Sequence, residues 1–507
     1  MIATAKNRTS CLCPFSIAIQ VLLLLMKPLS GLALSPNLVN LAETHFPRTW
    51  VPIGSVKELD PNRPSPIKFL NQKYVTYQDN DSNWIVMDDA CPHRLAPLSE
   101  GRVDREKGVV QCSYHGWEFN SGGCACRIPQ MTLEDEEAVL TSSASKSANV
   151  PTYPTHVEKN ILWMWPWAED PIQDDDSPAY PTKFMENIGD DPSTYTRDLP
   201  YGWEALVENL IDPAHIPFAH HKLQGTRADA IPINMTMKDD ISSKGFSFQF
   251  DDRTLGKLRS SNGSFFAPYV IDYNGEYESG TPFKLMSVCI PTAPGWSRAI
   301  IMMNGVKHSE RKSLVSKIFG CIPVWVIHQF SNQFLDSDLA FLHYQEQERQ
   351  RRQKISKKVF KRGDKYFMPS VSDRCIQALQ KWVPRYASNL YPLHEQTSNP
   401  GGGSGGGVEL NGDYDAKTQT TMIPALAPER LFDRYEQHTS HCIECQNALK
   451  QFPKWRRNMY GLLTLSVVFW RFTLARVTAL LSMGLLRLIQ KAENHMLKGG
   501  FKHYENH

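Results

Sequence analysis

The sequence predicts an α+β protein built as a small β-rich unit, a larger unit mixing strands and helices, and a helical tail. Over 46–165, strand-like runs such as Tyr74-Val75-Thr76-Tyr77 and Trp84-Ile85-Val86-Met87 are punctuated by Pro, Asn and Gly, the pattern of short strands joined by turns. Over 180–395, runs such as Ser247-Phe248-Gln249-Phe250 and Ala299-Ile300-Ile301-Met302-Met303 alternate with helical stretches. The Gly-rich segment inside 396–412 reads as a flexible linker. Beyond it come a Cys-containing segment, 413–456, and an apolar stretch, 457–490. A chain of 507 residues accommodates two to four domains.

Composition narrows the class. A net charge of +2 gives no global drive toward nucleic acid, and eleven scattered Cys do not form a disulfide scaffold. Residues 1–33 read as a targeting segment: Lys6 and Arg8 precede the apolar run Phe15–Met26, and Gly31-Leu32-Ala33 offers small residues for cleavage. This is the pattern of a secretory-type signal peptide, too short to favour a membrane anchor.

The most specific signal is Cys91-Pro92-His93 followed, after eighteen residues, by Cys112-Ser113-Tyr114-His115. C-x-H with C-x-x-H supplies two thiolates and two imidazoles, the ligand set of a Rieske [2Fe–2S] cluster, in which one iron takes the Cys pair and the other the His pair. Zinc is the rival, but zinc pairs usually place like ligands together. Here each half carries one of each.

A second constellation runs from Glu208-Asn209 through Asp212-Pro213-Ala214-His215 to Pro217-Phe218-Ala219-His220-His221. Two imidazoles and one carboxylate on one face of a ferrous ion leave positions open for dioxygen. Asp212 and His215 share a helical face. His215 and His220 are five apart and diverge on a straight helix, so a break at Pro217 is needed to bring them together.

Through C-x-H…C-x-x-H and D-x-x-H-x4-H the chain resembles the Rieske non-haem iron oxygenases. Through Trp203-Glu204, Glu208-Asn209, Asp212–His215 and Pro217–His221, with His441-Cys442-Ile443-Glu444-Cys445 and an apolar tail, it is similar to the pheophorbide a oxygenase group. That group includes the inner-envelope Rieske translocon component and a protochlorophyllide-associated Rieske protein. The resemblance implies that Cys91, His93, Cys112 and His115 hold the cluster, and that His215 and His220 hold the mononuclear iron. It also implies that Asp212 bridges the electron path between subunits. It places the carboxylate ligand in Asn332–Glu346, at Asp338 in preference to Asp336. It implies a helix-grip (START-like) catalytic domain, an antiparallel sheet wrapped around a long helix with a deep apolar pocket, and ferredoxin, dioxygen, a tetrapyrrole substrate, a homotrimer and a membrane-bound tail as partners. Pheophorbide a is the favoured pigment; protochlorophyllide and chlorophyllide a remain open, and a redox-sensing envelope component is the reading from another class.

Four segments stay ambiguous on sequence. Cys442 and Cys445 read first as a dithiol switch, with a thioredoxin as candidate partner, because C-x-x-C thiols often have lowered pKa. Structural thiols, or a metal site completed by His438 and His441, are the alternatives. Arg349–Lys365 holds nine Lys or Arg and reads as a solvated face or a docking site for ferredoxin or an anionic membrane. The acidic run Glu134–Glu137 reads as a solvated loop. The apolar tail, interrupted by Arg471, Arg476 and Arg487, suits one tilted helix, two short re-entrant helices or an in-plane anchor. A secretory-type leader on a plastid-like enzyme suggests an alga with a complex plastid, the protein residing at the chloroplast envelope or thylakoid.

Overall fold

The computed structural model describes residues 46–167, 181–303, 322–359, 366–390 and 425–503, apart from 187 and 389. The targeting segment 1–33 and the linker 396–412 lie outside the described residues.

The first unit is made of short antiparallel strands in three small sheets. Val51–Ser55, Ile161–Met164 and Thr155–Glu158 form one. Ser65–Phe69, Gln72–Gln78, Trp84–Asp88 and Thr152–Tyr153 form the second, and Arg102–Asp104, Val109–Gln111, Glu118–Phe119 and Ala125–Arg127 the third. The last two enclose a separate small core containing Val75, Tyr77, Met87, Phe119 and Val150 together with Cys91 and Cys112. The acidic run departs from expectation. Leu133–Thr141 is a helix capped by the Thr132 side chain, and acidic residues in its first turn suit the positive end of the helix dipole. Glu136 is buried, pairing with Arg127 and accepting from the Ile128 amide.

The second unit is a seven-stranded antiparallel sheet. Its order is Ser193–Leu199, Trp296–Met303, Pro282–Ala293, Val270–Tyr277, Lys257–Phe266, Gly245–Thr254 and Thr236–Met237. Its covering helices are Trp203–Leu210, the long Val324–Val359 (the core helix below) and Arg374–Tyr386. Trp382 anchors the last, meeting Phe265 edge-on at 5.3 Å. The two units share one core: Phe46 packs on Trp203 at 5.6 Å, and the Leu70 and Asn71 amides donate to the Pro291 and Thr292 carbonyls.

The tail is an antiparallel pair of helices, Ile443–Val468 and Thr473–Leu497, whose arms are tied by an Arg456–Glu493 ion pair. The apolar stretch therefore folds as two helices and not as one long helix. After the pair, the chain returns to the core helix: the Gly500 amide donates to Asp336 at 3.0 Å.

Candidate active site

The two loops carrying C-x-H and C-x-x-H repeat one backbone pattern. In each, the Cys carbonyl accepts from the amide four residues on, Leu95 at 2.7 Å and Gly116 at 2.9 Å. In each, the Cys amide donates to the carbonyl five residues on, Ala96 and Trp117, both at 2.8 Å. The fourth residue takes a positive φ in both, 59° at Leu95 and 76° at Gly116, a conformation that glycine adopts without strain.

These loops converge. Cys91 and Cys112 are buried free thiols, and the His93 and His115 rings lie 4.4 Å apart. Trp117 stacks on His93 at 5.0 Å and Tyr114 covers His115 at 4.0 Å. His93 Nδ1 is buried without a hydrogen-bond partner, a costly arrangement for a polar atom left to itself. Burial pushes the Cys91 thiol up to about 12, so a thiolate there needs cationic iron beside it. Two thiols, two imidazoles and an unpartnered nitrogen fit a [2Fe–2S] cluster.

The second site forms where the helix Trp203–Leu210 stops. Ile211 leaves helical geometry, and one new turn, Ile216–Ala219, begins after His215 with Pro217 in its first turn. The break therefore precedes Pro217 rather than falling at it: proline is tolerated in a first helical turn, where its missing N–H costs nothing. His215 and His220 bracket this turn, and their Nε2 atoms come within 3.2 Å.

The hydrogen bonds fix both tautomers. His215 Nδ1 lies 2.5 Å from the Asp212 carbonyl oxygen and must donate to it. The Ser337 hydroxyl donates to the Phe334 carbonyl, so His220 Nδ1, 2.8 Å away, donates to Ser337 Oγ. Both Nε2 atoms are then lone pairs facing each other. Burial, with His215 and His503 nearby, pushes His220 down to about 2, so it is neutral at physiological pH.

The core helix brings Asp338 to this pair, its carboxylate 3.8 Å from His215 Nε2 and 3.5 Å from His220 Nε2. Asp338 is 3% exposed, and its Oδ1 has no partner. Burial raises the carboxyl to about 6, while His215 and a hydrogen bond from Asn209 oppose the rise. Two facing lone pairs and an orphaned carboxylate oxygen are the donor set for a divalent cation, and they fit a mononuclear iron of the two-His-one-carboxylate type. His215 is the more accessible wall, 21% exposed at its side chain.

Asp336 is elsewhere. Two residues apart on a helix means about 200° of rotation, and Asp336 is fully buried between Arg197 at 2.6 Å and Arg434 at 2.7 Å. Asp212 carries its carboxylate 3.8 Å from His215 Nδ1, with a partly exposed side chain. Ser337 and Phe334, which stacks on His220 at 3.7 Å, complete the site with Asn209; of the three only Asn209 stood out in the sequence. Ser337 had a weak signal in sitting between the two candidate aspartates.

Cys442 and Cys445 lie at the start of the tail pair, both buried and both free thiols. The Cys445 thiol and burial push Cys442 well above the usual thiol range, opposite to the lowering expected of a C-x-x-C pair. His441 faces Asp198 at 3.9 Å and not the cysteines. Among the basic residues of 349–365, Arg349 pairs with Glu204 at 2.5 Å and Arg351 and Arg352 pair with Glu348 at 2.7 Å. The side chains from 353 to 365 lie outside the described residues.

Comparison with known proteins bears on this geometry. Residues 49–154 match the Rieske [2Fe-2S] domain family and residues 265–356 the pheophorbide a oxygenase family. The chain is 32% identical to the chloroplastic pheophorbide a oxygenase of Oryza sativa subsp. japonica, over 81% of this chain and 75% of the relative. It is 30% identical to the chloroplastic flavonoid 8-hydroxylase 2 of Ocimum basilicum, over 83% of this chain and 76% of that one. The crystal structure of dicamba monooxygenase superimposes with a TM-score of 0.51 at 17% identity, covering 66% of this chain and 96% of the other, a likeness of fold.

Proposed function

Because the chain belongs to the pheophorbide a oxygenase group of Rieske non-haem iron oxygenases, we propose that it oxygenates a chlorophyll-type tetrapyrrole, pheophorbide a foremost. The observation that carries this reading is the convergence of His215, His220 and Asp338 on one point beside the unpartnered Asp338 Oδ1. We assign these three residues to Fe(II), and Cys91, His93, Cys112 and His115 to the [2Fe–2S] cluster. Iron held there would supply open positions for dioxygen, one atom going to substrate and the other to water once two electrons and two protons are delivered from outside.

The protein's own groups set up that chemistry. The Asp212 carbonyl and Ser337 hydroxyl hold both imidazoles with their lone pairs inward, as outer hydrogen-bond partners do at metal sites. Phe334 excludes water from His220. The partly exposed Asp212 carboxylate suits contact with a cluster histidine of a neighbouring subunit, which supports a homotrimeric ring closed head to tail. Ferredoxin is the proposed electron donor.

The tail supports membrane attachment. Leu465, Val467, Val468, Phe469, Trp470, Phe472, Leu474, Leu480 and Leu481 are exposed. By length and composition Thr473–Leu497 is apolar enough to cross a bilayer, an 18-residue stretch of it having mean hydropathy 1.2. The charges limit its depth. From Arg457 to its end at Val468 the first helix runs about 16 Å, and Arg476 to Arg487 in the second spans about 16 Å, each short of the ~30 Å hydrocarbon core, so the reading places the pair in one leaflet. The named relatives are chloroplastic, and a plastid membrane reached through a secretory-type leader is the location proposed.

The test is single-turnover oxygenation of pheophorbide a, protochlorophyllide a, chlorophyllide a and a flavone by the ferredoxin-reduced protein under labelled dioxygen. Label in pheophorbide a, lost in His215→Ala, is the expected result. Label in another of the four moves the substrate. No label in any, with both iron centres loaded, overturns the oxygenase reading in favour of a redox-sensing component.

A further inference from the structure

A second group of ligand-type side chains lies outside the active site: His328, His438, Cys442 and Cys445, all buried, with their ligand atoms within 4.8 Å of one another. His328 comes from the first turns of the core helix, His438 from the turn Tyr435–Thr439, and the cysteines from the start of Ile443–Val468.

The hydrogen bonds again fix tautomers. His328 Nε2 lies 3.1 Å from the Thr194 carbonyl, and His438 Nδ1 lies 2.6 Å from the Thr196 carbonyl. Carbonyls only accept, so both nitrogens donate, leaving His328 Nδ1 and His438 Nε2 as lone pairs. These face each other at 3.2 Å in a buried space, which is repulsive unless a cation or a proton lies between them. Both thiols complete the group: Cys442 Sγ and Cys445 Sγ are each 3.5 Å from His328 Nδ1, and Cys445 Sγ is 3.3 Å from His438 Nε2. Zinc bond lengths of about 2.0–2.1 Å to nitrogen and 2.3 Å to sulfur give tetrahedral edges of about 3.3 Å for N···N and 3.6 Å for N···S. The observed separations match these edges. The outer partners match as well: Thr194 and Thr196 lie on the outermost strand of the sheet, and the two imidazoles use its unpaired carbonyls.

We propose that His328, His438, Cys442 and Cys445 form a closed, structural Cys2His2 zinc site that fastens the tail to the core helix. His328 and His438 are 110 residues apart in sequence, so the ion joins segments separated by the linker. All four positions are filled by protein, which leaves none for chemistry. The inference does not rest on the oxygenase reading, because zinc is measured without turnover.

The experiment is metal analysis of the full-length protein beside zinc-edge X-ray absorption, which does not see iron. The expected result is one zinc per chain, with two sulfur and two nitrogen neighbours. That zinc persists in His215→Ala and is lost in Cys442→Ser/Cys445→Ser. Limited proteolysis of the wild-type protein after zinc removal then shows faster cleavage ahead of the tail. If the cysteine variant does not fold, the wild-type spectrum still decides. Folded protein that lacks zinc, or zinc in a shell without sulfur, overturns the proposal. So does a reversible Cys442–Cys445 disulfide formed with no metal released, which would favour the dithiol switch.

Discussion

The core helix serves two clusters ten residues apart, His328 with its partners and Asp338 with His215 and His220. Each contains two imidazoles whose ring nitrogens face each other at 3.2 Å. Each fixes its tautomers by donation to neighbouring oxygen atoms, carbonyls in three cases and the Ser337 hydroxyl in the fourth. They differ in the remaining ligands and in access. The first adds two thiols and is sealed on every side; the second adds one carboxylate and has His215 as a partly exposed wall. On the assignments proposed above, the same imidazole pairing serves a fastening in one place and a reaction centre in the other, because ligand number and solvent access decide whether coordination positions stay open.

The sharpest way to break this comparison is to remove one ligand from each cluster. Asp338→Ala is expected to lose mononuclear iron and all oxygenation while keeping the Rieske absorption and electron paramagnetic resonance signals; iron retained with normal turnover would remove Asp338 from the site. The runner-up aspartate should behave as a stability residue. Asp336→Ala leaves Arg197 and Arg434 buried without their shared partner, a loss of about 3–5 kcal/mol, read as a fall in unfolding midpoint. If instead iron falls and stability does not, the assignment of the two aspartates is reversed.

Asp212→Asn keeps the backbone carbonyl that orients His215, so iron content should hold while turnover falls about 10–100-fold, the usual effect of losing an outer carboxylate. Mixing this variant with a cluster-dead Cys91→Ser chain tests whether the electron crosses between subunits. A metal-removal experiment contrasts the clusters directly: mild chelation should strip the open iron site first and leave tail proteolysis unchanged.

The smallest effect concerns pH. Burial and the neighbouring Glu204 raise Glu208 to about 7 from 4.5. A raised carboxyl stabilises the fold fully below the unfolded value, and that contribution is lost as pH rises through about 7. Glu208→Gln should therefore flatten the decline in melting temperature between about pH 4.5 and 7. An unchanged slope would place the titration elsewhere.

What the sequence could reveal followed from distance along the chain. Cys91, His93, Cys112 and His115 sit in two short loops, and His215 and His220 in one turn, so spacing alone exposed them. Asp338 was reached only through resemblance, since no local rule distinguishes it from Asp336. Helical rotation does, once the helix axis is known. His328 was invisible, because its partners lie 110 residues later and a lone histidine on a helix carries no pattern. His441 looked better placed by sequence, yet it turns toward Asp198. The acidic run hid Glu136 as a buried partner of Arg127, because charge runs reveal nothing about which member faces inward.

The return of the chain after the tail has a consequence for how substrate is found. The helix pair leaves the body at Cys442 and rejoins it at Gly500, next to Asp336, so it is pinned at two points of the same helix. Under the membrane attachment proposed above, a single pin would let the catalytic domain swivel above the bilayer. Two pins would set its height and heading, so that a pigment dissolved in the lipid would reach the His215–His220–Asp338 site from one constant direction.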